Sequence, residues 1–314
     1  MGIDISVIIP AYNEEENVVV LYKELTSVLR TLNRDYEIIF VDDCSTDATY
    51  QRLSELHSLD DHVKIIKFRK NFGQSAAMKA GFDHALGNLI ITLDADLQND
   101  PHDIPQMLET MEKEHYDVMC GWRYNRQDPF FKKIFSGFAN SFRACLTGET
   151  IHDSGCTLRV YKREAVKNIE LFGELHRYIP AILLWEGYKI GEVKTNHRER
   201  AFGKSKYNWN RLIKGFLDLL VIAFWQKYSV RPMHIFGGAG LIIGGIGFII
   251  AFYLGVSRII FGTGLTDRPL FLVALVLLVL GVQFIALGII ADILLRIYYG
   301  QNVRKNYLID ETVS

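Results

Sequence analysis

The sequence predicts an α/β domain, a mostly parallel sheet with helices on both faces, followed by two transmembrane helices. Two observations carry this. Up to about Val193, short apolar runs alternate with helix-like patterns, the order expected of strand–helix units in a parallel sheet. Beyond that point, Ile235 to Ser257 and Pro269 to Ala291 each run 23 residues without a charged side chain. That exceeds the ~20 residues needed to cross a ~30 Å hydrocarbon core.

The strand-like runs are Ile5–Pro10, Glu37–Asp43, Val63–Phe68, Leu89–Asp94 and Val118–Gly121. Glu15–Leu32, Thr46–Ser58, Gln74–Ala85 and Asp103–Lys113 read as helices between them. Ligands of such sheets sit at the carboxyl ends of the strands. The polar residues directly after each strand are therefore the candidates for function.

Totals narrow the classes. The 314 residues carry a formal net charge of −1, so nothing calls for nucleic acid as a partner. The four cysteines, Cys44, Cys120, Cys145 and Cys156, have no C-x-x-C spacing. That argues against a zinc site or a disulfide framework and fits a reducing compartment. Met1 to Pro10 lacks a basic segment followed by an apolar one, so no signal peptide is read there. Gly2 sits in a myristoylation-like pattern, but Ile5–Pro10 reads better as a core strand.

Between the soluble part and the spans, Arg198 to Lys214 holds six Lys/Arg and one acid. Trp209, Leu212, Ile213, Phe216, Leu217 and Leu220 follow at the spacing of one helix face. A basic amphipathic helix beside a span reads as interfacial; a helix packed on the soluble domain is the alternative. The resulting division is a domain over 1–205, a juxtamembrane amphipathic region over 206–232, and two spans within 233–298 (about 235–260 and 269–295). A tail occupies 299–314. Two spans put the first domain and the tail on one side. Arg296, Arg304, Lys305 and the basic helix assign that side to the cytoplasm, although Arg258 and Arg268 in the connecting loop weaken the asymmetry.

Three strand ends carry candidate chemistry. The first, Pro10-Ala11-Tyr12-Asn13-Glu14, offers an aromatic to stack on a base and an acid to bond a ribose, or simply a turn and helix cap. The second, Val41-Asp42-Asp43-Cys44-Ser45-Thr46-Asp47, has two adjacent acids, more than capping needs. A carboxylate there accepts the ring N–H of uracil or guanine alike. The third, Leu93-Asp94-Ala95-Asp96-Leu97-Gln98, is the sharpest. In an extended stretch, residues two apart face one way, so Asp94, Asp96 and Gln98 would present three oxygens to one hard cation such as Mg²⁺ or Mn²⁺. A solvated acidic turn is the alternative. No Gly-x-x-x-x-Gly-Lys-Ser/Thr loop is present, which argues against a P-loop nucleotidase.

Together, Ile8-Ile9-Pro10-Ala11-Tyr12-Asn13-Glu14, Val41-Asp42-Asp43, Asn71-Phe72-Gly73-Gln74 and Asp94-Ala95-Asp96-Leu97-Gln98 resemble family-2 glycosyltransferases of the GT-A fold. More narrowly, the chain resembles the polyprenyl-phosphate glycosyltransferases, the group of dolichyl-phosphate mannose synthase and its bacterial relatives. Gly121-Trp122-Arg123, Asp153-Ser154-Gly155-Cys156-Thr157-Leu158-Arg159, Arg200-Ala201-Phe202-Gly203-Lys204-Ser205-Lys206-Tyr207 and the two spans extend the likeness over nearly the whole chain.

The resemblance implies inverting transfer of one sugar from a nucleotide-diphosphate donor, UDP-linked in preference to GDP-linked, to a polyprenyl phosphate. The place is the cytoplasmic face of the inner membrane, and the product serves cell-envelope glycan modification. Assembly as a homo-oligomer is compatible with it. Carried over by position, Pro10, Tyr12, Glu14, Asp42, Asp43, Gln74 and Asp94 would bind the nucleotide-sugar. Asp94, Asp96 and Gln98 would hold Mg²⁺ or Mn²⁺. Arg159, Arg200 and Lys204 would bind the acceptor phosphate. Asp96, Asp153 and Arg123 would form the catalytic group, Asp153 as base or orienter unless it merely caps the turn before Gly155. Some relatives have lysine where Gln74 stands, which shifts phosphate neutralisation towards metal and arginine.

A prenyl phosphate is largely ionised at pH 7 and needs little help from a base. The residue types fit neutralisation and alignment of two phosphates and include no Ser/His/Asp triad. His176-Arg177 could touch sugar or acceptor, with surface hydrogen bonding as the alternative. Trp122 and Trp185 could stack on sugar, with packing as the alternative. A processive polysaccharide synthase would carry a Gln-x-x-Arg-Trp segment, which is not evident. A non-catalytic scaffold would need neither the acidic set nor the basic Arg200–Lys206 segment.

Overall fold

The computed structural model describes residues 2–124, 151–171, 173–198, 232–262, 264, 269–300 and 309–313. The chain forms two compact units, Met1–Leu220 with Lys305–Ser314, and Val221–Arg304.

The first unit is built on an eight-stranded sheet of order β7-β5-β6-β4-β1-β2-β3-β8. Its strands are β1 (Ile5–Ala11), β2 (Tyr36–Asp42), β3 (Val63–Phe68), β4 (Leu89–Thr92), β5 (Val118–Arg123), β6 (Arg159–Lys162), β7 (Ile190–Thr195) and β8 (Ile309–Val313). The helices of this unit are α1 (Val18–Thr31), α2 (Thr49–Leu59), α3 (Gln74–His84), α4 (Ile104–Lys113), α5 (Arg163–Val166) and α6 (Ile179–Trp185). Strands β1 to β4 run parallel, as expected, whereas β6 and β8 pair antiparallel with their neighbours, so the sheet is mixed.

Strand β1 is buried along almost its whole length and β2 throughout. This is the near-continuous apolar run of a strand covered on both faces. Helix α1 turns Val18, Leu21, Leu25, Val28 and Leu29 inward, one face at helical spacing. Each such side chain contributes roughly 1.5–3 kcal/mol when fully buried. The parallel strands therefore hold their carboxyl ends side by side.

The second unit holds α7 (Pro232–Phe261) and α8 (Pro269–Gly300), both long and apolar enough to cross a membrane. Only 17% and 11% of their most apolar stretches are buried, so most of that surface is left for a lipid-like environment. The two pack against each other through glycine: a Cβ on Gly281 would lie 2.6 Å from Gly244 Cα and 2.8 Å from the Gly240 carbonyl oxygen. Small residues let helix backbones approach closely where apolar burial between lipid and protein gives no drive. The amphipathic juxtamembrane region expected over 206–232 falls outside the described residues except for Pro232, which begins α7.

The tail expected over 299–314 takes a different form at its end. Ile309–Val313 returns to the first unit as β8 and covers the outer edge of β3, with Ile65 opposite Val313 and Lys67 opposite Glu311. The last residues before and after the second unit thus belong to the first.

Candidate functional site

The loops after β1 and β2 are laced together. Asn13, at φ 57°, accepts from the Thr46 amide at 2.8 Å, and its own amide donates to Ser45 Oγ at 3.0 Å. The Glu14 amide donates to Thr49 Oγ1 at 2.8 Å. The Glu14 carboxylate accepts from the Asn17 side chain, and the Glu14 carbonyl from the amides of Asn17 and Val18. Glu14 thus sits at the entrance to α1, the helix-cap alternative. Pro10 and Tyr12 are half-buried at the same strand end. Cys44 and Leu97, after β2 and β4, also have positive φ (62° and 60°). Strained backbone at successive strand ends is a common mark of a ligand site.

Asp42 and Asp43 separate at once. Successive strand side chains face opposite ways. Asp43 accepts from the amides of Phe72 at 2.7 Å and Gly73 at 2.9 Å, so both its oxygens hold the loop leading to α3. Asp42 accepts from the Ser45 amide at 3.2 Å, and its Oδ2 is buried without a hydrogen-bond partner among the described residues. Burial pushes both carboxyls above the usual range, against the pull of these donors. Of the two adjacent acids expected at the nucleoside, one shapes a loop and the other has a spare oxygen.

The acidic segment is a turn. Strand β4 ends at Thr92, Ala95 and Asp96 lie in the turn, and Leu97 takes its left-handed conformation. The alternation that aligned Asp94, Asp96 and Gln98 therefore does not exist. The turn still brings Asp94 and Asp96 together: burial first, then the Asp96 charge, pushes Asp94 up to about 6. Gln98 contributes its backbone, its amide donating to Asp96 Oδ1 at 3.2 Å and its carbonyl accepting from the Arg198 amide. Gln74 Nε2 donates to Asp94 Oδ1 at 2.7 Å. Asp43, the 72–73 amides, Gln74 and Asp94 thus form one chain of contacts across the strand ends. Among the described residues, no cluster of three or more His, Cys, Asp or Glu side chains is arranged to hold a metal alone. Two crowded carboxylates still fit a hard divalent cation whose other ligands are diphosphate oxygens.

Cations surround this turn. Arg123, at the end of β5, pairs with Asp153 through Nε–Oδ2 at 2.6 Å and Nη2–Oδ1 at 2.8 Å. Burial alone would lower the guanidinium, but the Asp153 contact outweighs it and the net shift is upward. A Cβ on Gly155 would lie 2.9 Å from Arg123 Nη2, so a side chain there would have to be met by a shift of the guanidinium. Arg159 is 2% exposed. Its guanidinium binds the carbonyls of Ser154 and, at 3.0 Å, His176. Such burial removes Arg159 from direct contact with an acceptor phosphate; it ties two loops together, and its charge, like that of Arg123, lowers Asp94. Arg200 and Lys204 lie outside the described residues.

His176 is buried and its Nδ1 lies 2.8 Å from Ser75 Oγ, which makes it part of the scaffold under α3. Arg177 pairs with Glu174 at 3.1 Å. Trp122 stacks on His152 with ring centroids 4.4 Å apart, and Lys194 Nζ lies 5.5 Å from its ring. Trp185 is half-buried at the end of α6.

Sequence reasoning missed Asn99 and Thr157. Asn99 Nδ2 donates to Thr157 Oγ1 at 2.8 Å, and the Thr157 carbonyl accepts from Thr92 Oγ1 at 2.8 Å. Asn99 directly follows the acidic segment and Thr157 lies inside the Asp153–Arg159 stretch, but neutral side chains 58 residues apart give no spacing signal. Cys156, pushed up to about 11 by burial, keeps its proton beside Asn99.

Parallel strands delivering an acidic turn and guanidinium groups to one sheet edge, with antiparallel β6 beside β4, are the features of a GT-A domain. The chain belongs to glycosyl transferase family 2, whose model matches residues 6–170; it is a glycosyltransferase. It is 39% identical over 312 residues to the dodecaprenyl-phosphate galacturonate synthase of Rhizobium johnstonii, covering 98% of this chain and 92% of that one. It is 37% identical to the undecaprenyl-phosphate 4-deoxy-4-formamido-L-arabinose transferase of Proteus mirabilis, covering 99% and 94%. Among solved structures, it resembles glucosyl-3-phosphoglycerate synthase from Mycobacterium tuberculosis in complex with Mn²⁺, UDP and glucosyl-3-phosphoglycerate. That match has a TM-score of 0.52 at 15% identity, covering 71% of this chain and 79% of that one. Mannosyl-3-phosphoglycerate synthase from Rubrobacter xylanophilus matches with a TM-score of 0.54 at 16% identity, covering 72% and 75%. These two likenesses concern the fold.

Proposed function

We propose that this glycosyltransferase moves a single sugar from a UDP-sugar to a polyprenyl phosphate at the cytoplasmic face of the inner membrane, with inversion. The observation that carries the reading is the full-length match to two polyprenyl-phosphate sugar transferases, which spans the catalytic unit and both apolar helices. The product would supply a lipid-linked sugar for envelope glycan modification.

The nucleoside lies against Pro10, Tyr12 and the spare oxygen of Asp42, which accepts a ring N–H. Asp43 and Glu14 act on it indirectly, through the 72–73 amides and the entrance to α1. Gln74 orients Asp94. Asp94 and Asp96, with Gln98 beside them, are the residues that would hold Mg²⁺ or Mn²⁺. When bound, the cation neutralises the diphosphate and the charge building on the leaving oxygen. Arg123 faces the same phosphate charge while Asp153 fixes its plane; Arg200 and Lys204 are assigned to the acceptor phosphate. Because the prenyl phosphate oxygen is already ionised, Asp153 is not required as a base.

The test is the detergent-purified chain with undecaprenyl phosphate, Mg²⁺ or Mn²⁺, and labelled UDP- and GDP-sugars. A lipid-linked product carrying one sugar is expected, from a UDP donor. No lipid product with any donor would overturn the reading, and product from GDP-sugars alone would overturn the choice of nucleotide.

A further inference from the structure

We infer that Arg198 is a positioning residue: from beyond β7 it ties the exit of the acidic turn to α1, and so steadies the Gln98 amide that supports the Asp96 carboxylate. The inference rests on the proposed metal-holding role of Asp94 and Asp96 and adds the brace that keeps Asp96 in place.

Strand β7 ends at Thr195, and the residues after it form a strap along the chain that leaves the acidic turn. Asn196 donates to Asp103 twice, its amide to Oδ2 at 2.7 Å and its Nδ2 to Oδ1 at 3.1 Å. His197 forms an antiparallel bridge with Asn99. The Arg198 amide donates to the Gln98 carbonyl at 2.9 Å. The guanidinium then closes the strap. Its Nη2 meets Asp100 Oδ1 at 2.8 Å, and its Nη1 meets Glu24 Oε2, on α1, at 2.7 Å.

Gln98 is where the strap meets the site. Its carbonyl accepts from Arg198, and its amide donates to Asp96 Oδ1 at 3.2 Å. Both backbone groups of Gln98 are committed, so its backbone cannot rotate without losing one of them. The residue before it, Leu97, stands at φ 60°. A side chain with a Cβ disfavours that conformation, which persists when the surroundings over-determine it. The strap supplies that constraint from outside the turn. Each ion pair of Arg198 is partly exposed and would count for little alone. One planar guanidinium serving two carboxylates joins the turn exit and α1 through a single group, a geometry that lysine does not reproduce.

The experiment uses the full chain in detergent. Calorimetry follows Mn²⁺ binding in the presence of UDP, hydrogen exchange follows the amides of Leu97 to Asp100, and kinetics gives KM for donor and lipid acceptor. Arg198→Gln breaks both ion pairs, and Glu24→Gln breaks the α1 pair from the other side. Each is expected to weaken Mn²⁺ binding about 3–10-fold, at or below the lower end of the ~10–100-fold range for groups that orient metal ligands. Each should also speed exchange at Gln98 and raise KM for the donor more than KM for the acceptor. The double variant should be little worse than Arg198→Gln, because both changes remove the same link. Arg198→Lys, which keeps the charge but not the fork, should fall between wild type and Arg198→Gln. The two single variants change charge with opposite sign, so Mn²⁺ affinities that move in opposite directions would overturn the inference in favour of a plain charge effect. Unchanged Mn²⁺ affinity in Arg198→Gln, or a rise confined to KM for the acceptor, would overturn it while leaving the Asp94 and Asp96 assignment intact. Wild-type protein that binds UDP but no Mn²⁺ or Mg²⁺ would overturn the metal reading of the turn itself, and this inference with it.

Discussion

Arg123 grips Asp153 at two points, Nε to Oδ2 at 2.6 Å and Nη2 to Oδ1 at 2.8 Å. A carboxylate held by both oxygens in a partly buried ion pair is a poor proton acceptor. It is a good clamp for a planar guanidinium. Asp153 also accepts from the Gly155 amide at 3.1 Å, while its own amide donates to Glu192. The pair therefore belongs to a hydrogen-bonded loop beside the acidic turn, and in the proposed function its role is to hold charge in place.

If so, the two residues act as one unit. Asp153→Asn and Arg123→Lys should each lower kcat/KM about 10–100-fold, because lysine cannot bridge two oxygens and asparagine offers only one. The double variant should be little worse than the poorer single, a large departure from additivity. Steady-state kinetics on the four proteins measures it. Multiplicative losses, or a basic-limb change in the pH profile of Asp153→Asn alone, would return Asp153 to the role of base.

Asp43 offers a second measurement. Its carboxylate is the acceptor for the Phe72 and Gly73 amides, and removing it leaves both donors without a partner in a part-buried loop. Asp43→Ala should cost roughly 2–4 kcal/mol, since hydrogen bonds to charged groups are worth about 1.5–3 kcal/mol each. It should also raise KM for the donor, because Gln74 follows directly and reaches Asp94. Thermal melting and donor titration read the two effects. A stable variant with wild-type donor KM would show that the loop is held by other contacts.

The pH dependence of stability reports on the acidic turn. Burial and the Asp96 charge push Asp94 up to about 6, from an unfolded value of 3.8. The folded chain then binds this proton more tightly than the unfolded chain, so stability falls as pH rises from about 4 to about 6. Without metal, the wild type should melt higher at pH 5 than at pH 7. Asp94→Asn should lose part of that difference, roughly 5 °C. Asp42, Asp43 and Asp103, also raised by burial, keep the remainder. Parallel melting curves for wild type and Asp94→Asn across this range would remove Asp94 as a source.

Much of this site was legible because strand ends in a parallel sheet are local in sequence. The runs ending at Pro10, Asp43 and Asp94 pointed to the sheet edge where the candidate residues gather. What sequence could not supply was the backbone between neighbours. Leu97 turns left-handed, which takes Gln98 out of line with Asp94 and Asp96. Asp42 and Asp43 are adjacent, yet each serves a different loop. Arg159 looked like a phosphate ligand by its motif, but it is buried at the start of β6, where the nearest acceptors are carbonyls. Strand β8 was invisible for a different reason. Five residues after a long apolar helix carry little pattern of their own, and their partner β3 lies far away in the chain.

That strand yields the last prediction. Strand β3 would be an edge without β8, with unpaired backbone groups facing outward. Its end leads into the loop at Arg69, whose carbonyl meets Cys44 Sγ at 3.7 Å, and on to Phe72 and Gly73, the partners of Asp43. Glu311 stands opposite Lys67, whose ammonium lies 3.9 Å from the Tyr50 ring centre and whose charge lowers Asp42. The tail thus pairs with the strand that leads to the proposed nucleoside end of the site. Deleting residues 309–314 should speed hydrogen exchange at the β3 amides and lower the melting temperature by roughly 3–6 °C. KM for the donor should rise more than KM for the lipid acceptor. Unaltered exchange in β3 after deletion would mean that the tail does not hold this edge, and equal rises in both KM values would assign it a general role in stability instead of one in nucleotide binding.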